Sequence, residues 1–223
     1  MKNWKLIWSM ALAALATGAL VTGALADEGM VTLFKGQGSL IGEQGGKSAI
    51  VPFMKLRRGD RIDLGDGGRL QILYTATGRQ ETWTGAAVIE VGGNESQAKS
   101  AAAAPVVKTL PAAALHRLAQ TPAVLTDIRN RTGMVMVRSG GLLEKIREIE
   151  TTYSQMRQEA AKDDVTPELY FVSALYDLKL YRDMEEIMQE IVARQPDNEE
   201  AKALVENLRK AMENTGAAAV VQP

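Results

Sequence analysis

The residues able to do chemistry are few and scattered. His116 is the single histidine, and the chain has no cysteine. A Ser-His-Asp hydrolase would need His116 together with a distant serine and aspartate, yet no Gly-x-Ser-x-Gly turn surrounds any serine. Its alanine-rich setting, between Leu115 and Arg117, marks His116 as a helix-surface or linker residue. One histidine without cysteine cannot assemble a zinc site of nitrogen and sulfur ligands. Asp60, Asp63 and Asp66 are close together, but they lack calcium-loop spacing and stand among Arg57, Arg58, Arg61 and Arg69, so they read as turn aspartates. Gly45-Gly46-Lys47-Ser48 is similar to the end of a phosphate-binding loop. The glycine required five residues before Gly46 is Ile41, however, and no βα unit frames the segment, so a hairpin loop is expected. Nothing marks a carboxylate pair for glycoside hydrolysis. The expectation is a protein that is not an enzyme, with no catalytic residue, no metal site and no cofactor.

Surface for a partner is what remains. Asp183, Glu185, Glu186 and Glu190 alternate with Met184, Ile187 and Met188. The acidic residues form a solvated helix face, and methionine side chains either pack in a core or adapt to another protein's surface. Met184 and Met188, with Tyr176 and Tyr181, are the candidate partner-binding residues.

Residues 1–26 read as a secretory signal peptide. Lys2 and Lys5 make a positive start, an apolar run extends from Leu6 through Leu25, and Ala24-Leu25-Ala26 offers a small-x-small site with cleavage after Ala26. An uncleaved anchor is the alternative, because the run approaches bilayer-spanning length. Its alanine and glycine content and its clean cleavage site favour removal, and no later stretch approaches that length. No stable membrane insertion is therefore expected after cleavage, and the protein is expected to be periplasmic or secreted from a bacterium. Export without cysteine leaves packing alone to stabilise the fold. Without Lys2 and Lys5, the 26 basic side chains fall to 24 against 27 acidic ones, a net charge of −3. Dispersed basic residues on a weakly acidic chain argue against nucleic acid as a partner.

Two halves of different character must position any site. From residue 27 to 95 the pattern is β. Ile62 and Leu64 alternate with Arg61 and Asp63, and Leu70, Ile72 and Tyr74 alternate with Gln71 and Thr75. Gly59-Asp60, Gly65-Asp66-Gly67-Gly68, Thr77-Gly78 and Gly92-Gly93-Asn94 supply turns. Short strands at this spacing predict an antiparallel sandwich or β-roll. Residues 96–114, with Ala101–Ala104, Pro105 and Pro111, read as a low-complexity linker in which Val106 to Leu110 is a candidate isolated strand. From 115 to 213 the chain is helical, which makes the fold class segregated α+β. Ala112–Ala119 and Ala123–Arg131 are candidate short helices, and Met134–Val137 a candidate strand. A long helix over 142–160 places Leu142, Ile146, Ile149, Tyr153, Met156 and Ala160 on one stripe, the spacing of a helix seam. That stripe packs within the chain or joins a homo-oligomer. Thr166 is a candidate N-cap with Pro167 at the first helical position. That helix runs to about residue 179, and two more cover about 183–194 and 199–212. Residues 214–223 are expected to be a disordered tail.

Val31-Thr-Leu-Phe-Lys-Gly36, Leu56-Arg-Arg-Gly-Asp-Arg-Ile62, Gly68-Arg-Leu-Gln-Ile-Leu-Tyr74 and Ala87-Val-Ile-Glu-Val91 resemble the strand motifs of the FecR domain, the periplasmic module of iron-citrate sensors. The resemblance implies a β-domain in the envelope. FecR sensors carry a cytoplasmic anti-sigma segment before a retained membrane helix. This chain has only a few residues before its apolar run, so signalling across the membrane is not carried over. Residues 166–212 resemble a degenerate tetratricopeptide unit: helix, short turn at Leu180–Asp183, helix, Pro196-Asp197-Asn198, then a further helix. Both modules are similar to interaction modules. The function expected is a non-catalytic scaffold or protein-binding module of the envelope. The alternatives are a β-domain that binds cell-wall polysaccharide by stacking Trp83 or Tyr74 on sugar, and a secreted hydrolase using carboxylates.

Overall fold

The computed structural model describes residues 27–42, 45–101, 103–126 and 141–214. Residues 1–26, where a signal segment with cleavage after Ala26 is expected, the strand expected over 134–137 and the tail expected after Asn214 lie outside them. In chain order the described strands are β1 (Asp27–Lys35), β2 (Gly38–Ile41), β3 (Lys47–Ala49), β4 (Lys55–Arg57), β5 (Arg61–Leu64), β6 (Arg69–Tyr74), β7 (Arg79–Thr84), β8 (Ala87–Val91), β9 (Ser96–Ala101) and β10 (Val106–Thr109). The helices are α1 (Ala112–Thr126), α2 (Leu142–Glu159), α3 (Thr166–Asp177), α4 (Tyr181–Arg194) and α5 (Glu199–Asn214). The fold is segregated α+β. One antiparallel sheet has the order β10–β7–β6–β1–β4 and the other β3–β2–β5–β8–β9.

β6 shows how the layers stack. Leu70, Ile72 and Tyr74 point between the sheets, where they meet Val31, Leu56, Ile62, Trp83 and Ile89. Gln71 and Leu73 point the other way and are buried as well. Leu73 and Met30 belong to one core with Leu118, Leu169, Leu175 and Met184 of the helices. The first sheet is thus a middle layer, with the helices on one face and the second, outer sheet on the other. Phe53, just before β4, enters the helical core with φ +67. That left-handed conformation costs a non-glycine residue about 1–2 kcal/mol, which burial of its ring offsets.

The expected linker is instead the closing pair of strands. β9 pairs with β8 and β10 with β7. Because β7 and β8 are joined by only Gly85 and Ala86, β9 and β10 form the two edges on the same side of the sandwich. Their side chains are mostly exposed, so backbone pairing holds them and no alternation of apolar residues marks them. Gly78, at φ +74, turns β6 into β7, and its carbonyl accepts from Leu110 N–H at 2.9 Å. A side chain there would meet Leu115 of α1 at 2.9 Å, so glycine lets α1 dock on this turn.

The helices differ from expectation in their bounds and caps. α1 continues past Pro122 instead of breaking there; the proline forfeits one backbone hydrogen bond without ending the helix. Residues 127–131 of the second short helix expected there lie outside the described residues. Thr166 is the first helical residue rather than the cap. Asp164 Oδ1 accepts from the Thr166 N–H at 2.9 Å, while the Thr166 hydroxyl accepts from Gln80 Nε2 of the sheet at 3.1 Å. α4 begins two residues early, at Tyr181, and α5 runs to Asn214. Asn198 caps α5 through Oδ1, which accepts from the N–H groups of Glu200 at 3.0 Å and Ala201 at 3.2 Å.

Candidate interaction surface

The buried acidic side chains serve the fold. Asp60 Oδ2 accepts from the Arg57 N–H at 2.8 Å, closing the β4–β5 turn as a turn aspartate would. Asp63 and Asp66 are exposed, and no cluster of metal ligands occurs among the described residues. Glu81 is fully buried. It holds Arg79 Nε at 2.6 Å, accepts from Trp83 Nε1 at 3.2 Å, and receives the Ser96 N–H at 3.2 Å, which ties β9 to β7. Tyr74 OH lies 2.8 Å from Ser96 Oγ. Burial, with the nearby Glu81 charge, pushes the Tyr74 hydroxyl up to about 12. Gly45 and Gly46 belong to the turn before β3, with Gly42 N–H donating to Gly46 O at 2.9 Å, so the glycine segment is a hairpin. His116 stands on the exposed side of α1.

Glu168 is the deepest charge of the helical layer. It is fully buried, and Arg157 Nη1 donates to its two oxygens at 3.1 and 3.0 Å. Arg194 Nε lies 3.0 Å from Oε1, but its N–H is not aimed there, which makes an ion pair without a hydrogen bond. Arg194 Nη2 also reaches Glu190 at 2.9 Å, and the Tyr153 hydroxyl faces both carboxylates at 3.3 and 3.4 Å. Burial and then those two carboxylates raise the Tyr153 pKa. α2, α3 and α4 are joined by this network.

A second network binds the helices to the middle sheet. Gln71 Nε2 donates to Asp164 Oδ2 at 3.1 Å and accepts through Oε1 from the Thr32 hydroxyl at 2.7 Å. Asp163 holds Lys35 Nζ at 2.6 Å and Arg69 Nη1 at 3.0 Å. Burial alone would raise the Asp163 pKa, but Lys35 and Arg69 outweigh it and hold the carboxyl below the usual aspartate range. The cavity at this junction measures only about 10 Å³, room for a water-sized group at most.

The structure moves the candidate partner residues inside. Met184 and Met188 are fully buried in the helical core. Their spacing faces them inward while Asp183 and Glu186 face solvent and Glu185 and Glu190 pair with Arg209 and Arg194, so core packing claims them. Tyr176 and Tyr181 are half-buried and meet edge to face, centroids 5.8 Å apart, across the α3–α4 turn. The α2 stripe is also used internally: Ile149 and Met156 are buried, and Tyr153 stacks on Phe171 at 4.5 Å. Tyr74 and Trp83, the candidate sugar platform, are buried between the sheets.

What stays open is an edge. Among the described residues, the exposed large apolar side chains are Val106 (64% exposed), Val107 (41%) and Leu143 (73%). The two valines are adjacent on β10, an edge strand of the middle sheet with which only β7 pairs among the described residues. Leu110 N–H points inward to Gly78, so the alternation of an antiparallel ladder turns Lys108 and Val106 inward too. The backbone groups of Val107 and Thr109 therefore face outward. The signal for this edge in the sequence is a β-branched pair bounded by Pro105 and Pro111. An apolar hollow of about 240 Å³ also lies between residues 51–54 and Glu200, Ala203, Leu204 and Asn207 of α5, wide open to solvent. No helix among the described residues is long and apolar enough to cross a membrane. Comparison of the chain with protein-family models, curated proteins and solved structures finds no match.

Proposed function

We propose that this protein is a non-catalytic interaction module of the bacterial envelope, exported by its N-terminal signal segment, whose FecR-like sandwich and tetratricopeptide-like helices form one body that engages a protein partner. The observation that carries this reading is β10, a sheet edge on which no described strand pairs and which bears Val106 and Val107 in solvent. Sheet edges with free backbone groups recruit further strands. The buried Glu81 and Glu168 and the partly buried Asp163 support the same reading, because each is spent on internal pairing: Glu81 on Arg79, Glu168 on Arg157 and Arg194, Asp163 on Lys35 and Arg69.

A photo-crosslinking residue at Val106 in living cells tests it, with one at the exposed Ser48 of the opposite edge strand β3 as control. A protein adduct from position 106 that is weakened by Val107→Pro is the expected result. No adduct from position 106, or the same adducts from position 48, would overturn the reading.

A further inference from the structure

We infer that the strand received by β10 is the β10 of a second copy of this chain; the inference rests on the reading of β10 as a contact edge. An antiparallel edge is complementary to itself. A twofold axis sets the outward N–H and C=O of Val107 against the same groups of the second copy and makes an isologous contact. A register centred on Val107 places the two Val107 side chains opposite each other and each Val106 opposite the Lys108 stem of the other copy. A register centred on Lys108 would oppose two like charges and is disfavoured.

The edges of this sandwich are otherwise guarded. Lys47 stands exposed on β3, Lys55 and Arg57 on β4, and Lys99 on β9. Such charges on edge strands keep sheets apart. β10 has one charged residue, Lys108, and it is not left on guard: its Nζ donates to the carbonyl of Glu159, the last residue of α2. A cation there meets the negative end of the helix dipole. Of the four sheet edges described, β10 is the one on which two large apolar side chains face water. Four strand residues bury less than the roughly 1,200 Å² of a stable interface, so the dimer is expected to be weak and concentration-dependent.

Sedimentation velocity on protein recovered from the periplasm tests the inference. The wild type should pass from monomer to dimer as concentration rises to the millimolar range. Val107→Pro should remain monomeric with an unchanged melting temperature, because the N–H it removes faces outward and no ladder bond to β7 is lost. Should that variant fail to fold, Val107→Lys, which opposes two charges across the axis, should weaken the dimer in the same way. A wild type that stays monomeric, a dimer that survives both substitutions, or one abolished by Leu143→Glu instead would overturn the inference. A monomeric wild type that still crosslinks another protein at Val106 defeats the second copy and leaves the envelope-module reading standing; a monomer without that adduct defeats both.

Discussion

Replacing Glu168 with alanine should destabilise the protein by about 3 kcal/mol. The fully buried carboxylate is met by Arg157 and Arg194, which retain side-chain exposures of 18% and 27%. Removing one partner of a buried ion pair costs about 3–5 kcal/mol, because the remaining charge is left uncompensated. The lower end applies here. Arg157 keeps the carbonyls of Asp164 and Ala161, and Arg194 keeps Glu190 and the carbonyl of Lys162. For a chain of this size the loss corresponds to a fall in melting temperature of about 6–12 °C. Urea denaturation followed by far-ultraviolet circular dichroism measures it. Glu168→Gln keeps the shape and one acceptor and should lose less, roughly 2 kcal/mol. Glu168→Leu combined with Arg157→Met should recover part of the loss, because the desolvated charges leave together. A loss below about 1 kcal/mol for the alanine variant would place the cluster with ordinary surface pairs and refute the reasoning.

Two further predictions concern the seam between sheet and helices. Asp163 titrates below the usual aspartate range in the folded protein, so its contribution is complete above the unfolded value of about 3.9 and fades as pH falls through the lower folded value. The melting-temperature gap between wild type and Asp163→Asn should therefore be constant near neutrality and close in acid; a gap unchanged at the lowest pH would contradict the pairing with Lys35 and Arg69. Trp83 is the single tryptophan among the described residues, and it is buried between the sheets. Its fluorescence should report unfolding at the same denaturant concentration as helical circular dichroism, since Leu73 and Met30 share a core with the helices. Separate transitions would show that sandwich and helices unfold independently.

Strands with one apolar face were legible because a half-buried strand repeats every second residue, as Ile62 and Leu64 do beside the exposed Arg61 and Asp63; β6 carries the same alternation, but both of its faces are buried. The helix that became α2 was legible for the corresponding reason, with Ile149, Tyr153 and Met156 at helical spacing. The reading failed where burial leaves no periodic trace. β9 is held by backbone pairing and exposes its side chains, so its composition is that of a linker; β10 was legible as a candidate strand over 106–110, but not its pairing with β7. Thr166 looked like a cap because its local context favours one, and only the arrival of Gln80 from the sheet turned its hydroxyl elsewhere.

Residue type and local periodicity are enough to divide the chain into a β half and a helical half, to show how few groups could serve catalysis or metal binding, and to place the turns. The tertiary structure alone decided which faces remain open. Both faces of the middle sheet are covered, so the polar Gln71 and Gln80 are spent on Asp164 and Thr166. Met184 and Met188, available to a partner on an isolated helix, are enclosed once α3 and α5 pack beside α4. Val106 and Val107, unremarkable in an alanine-rich stretch, become the apolar edge because β7 pairs with β10 on one side and nothing described pairs on the other. Exposure is a property of what packs against a residue, and that partner is distant in the chain.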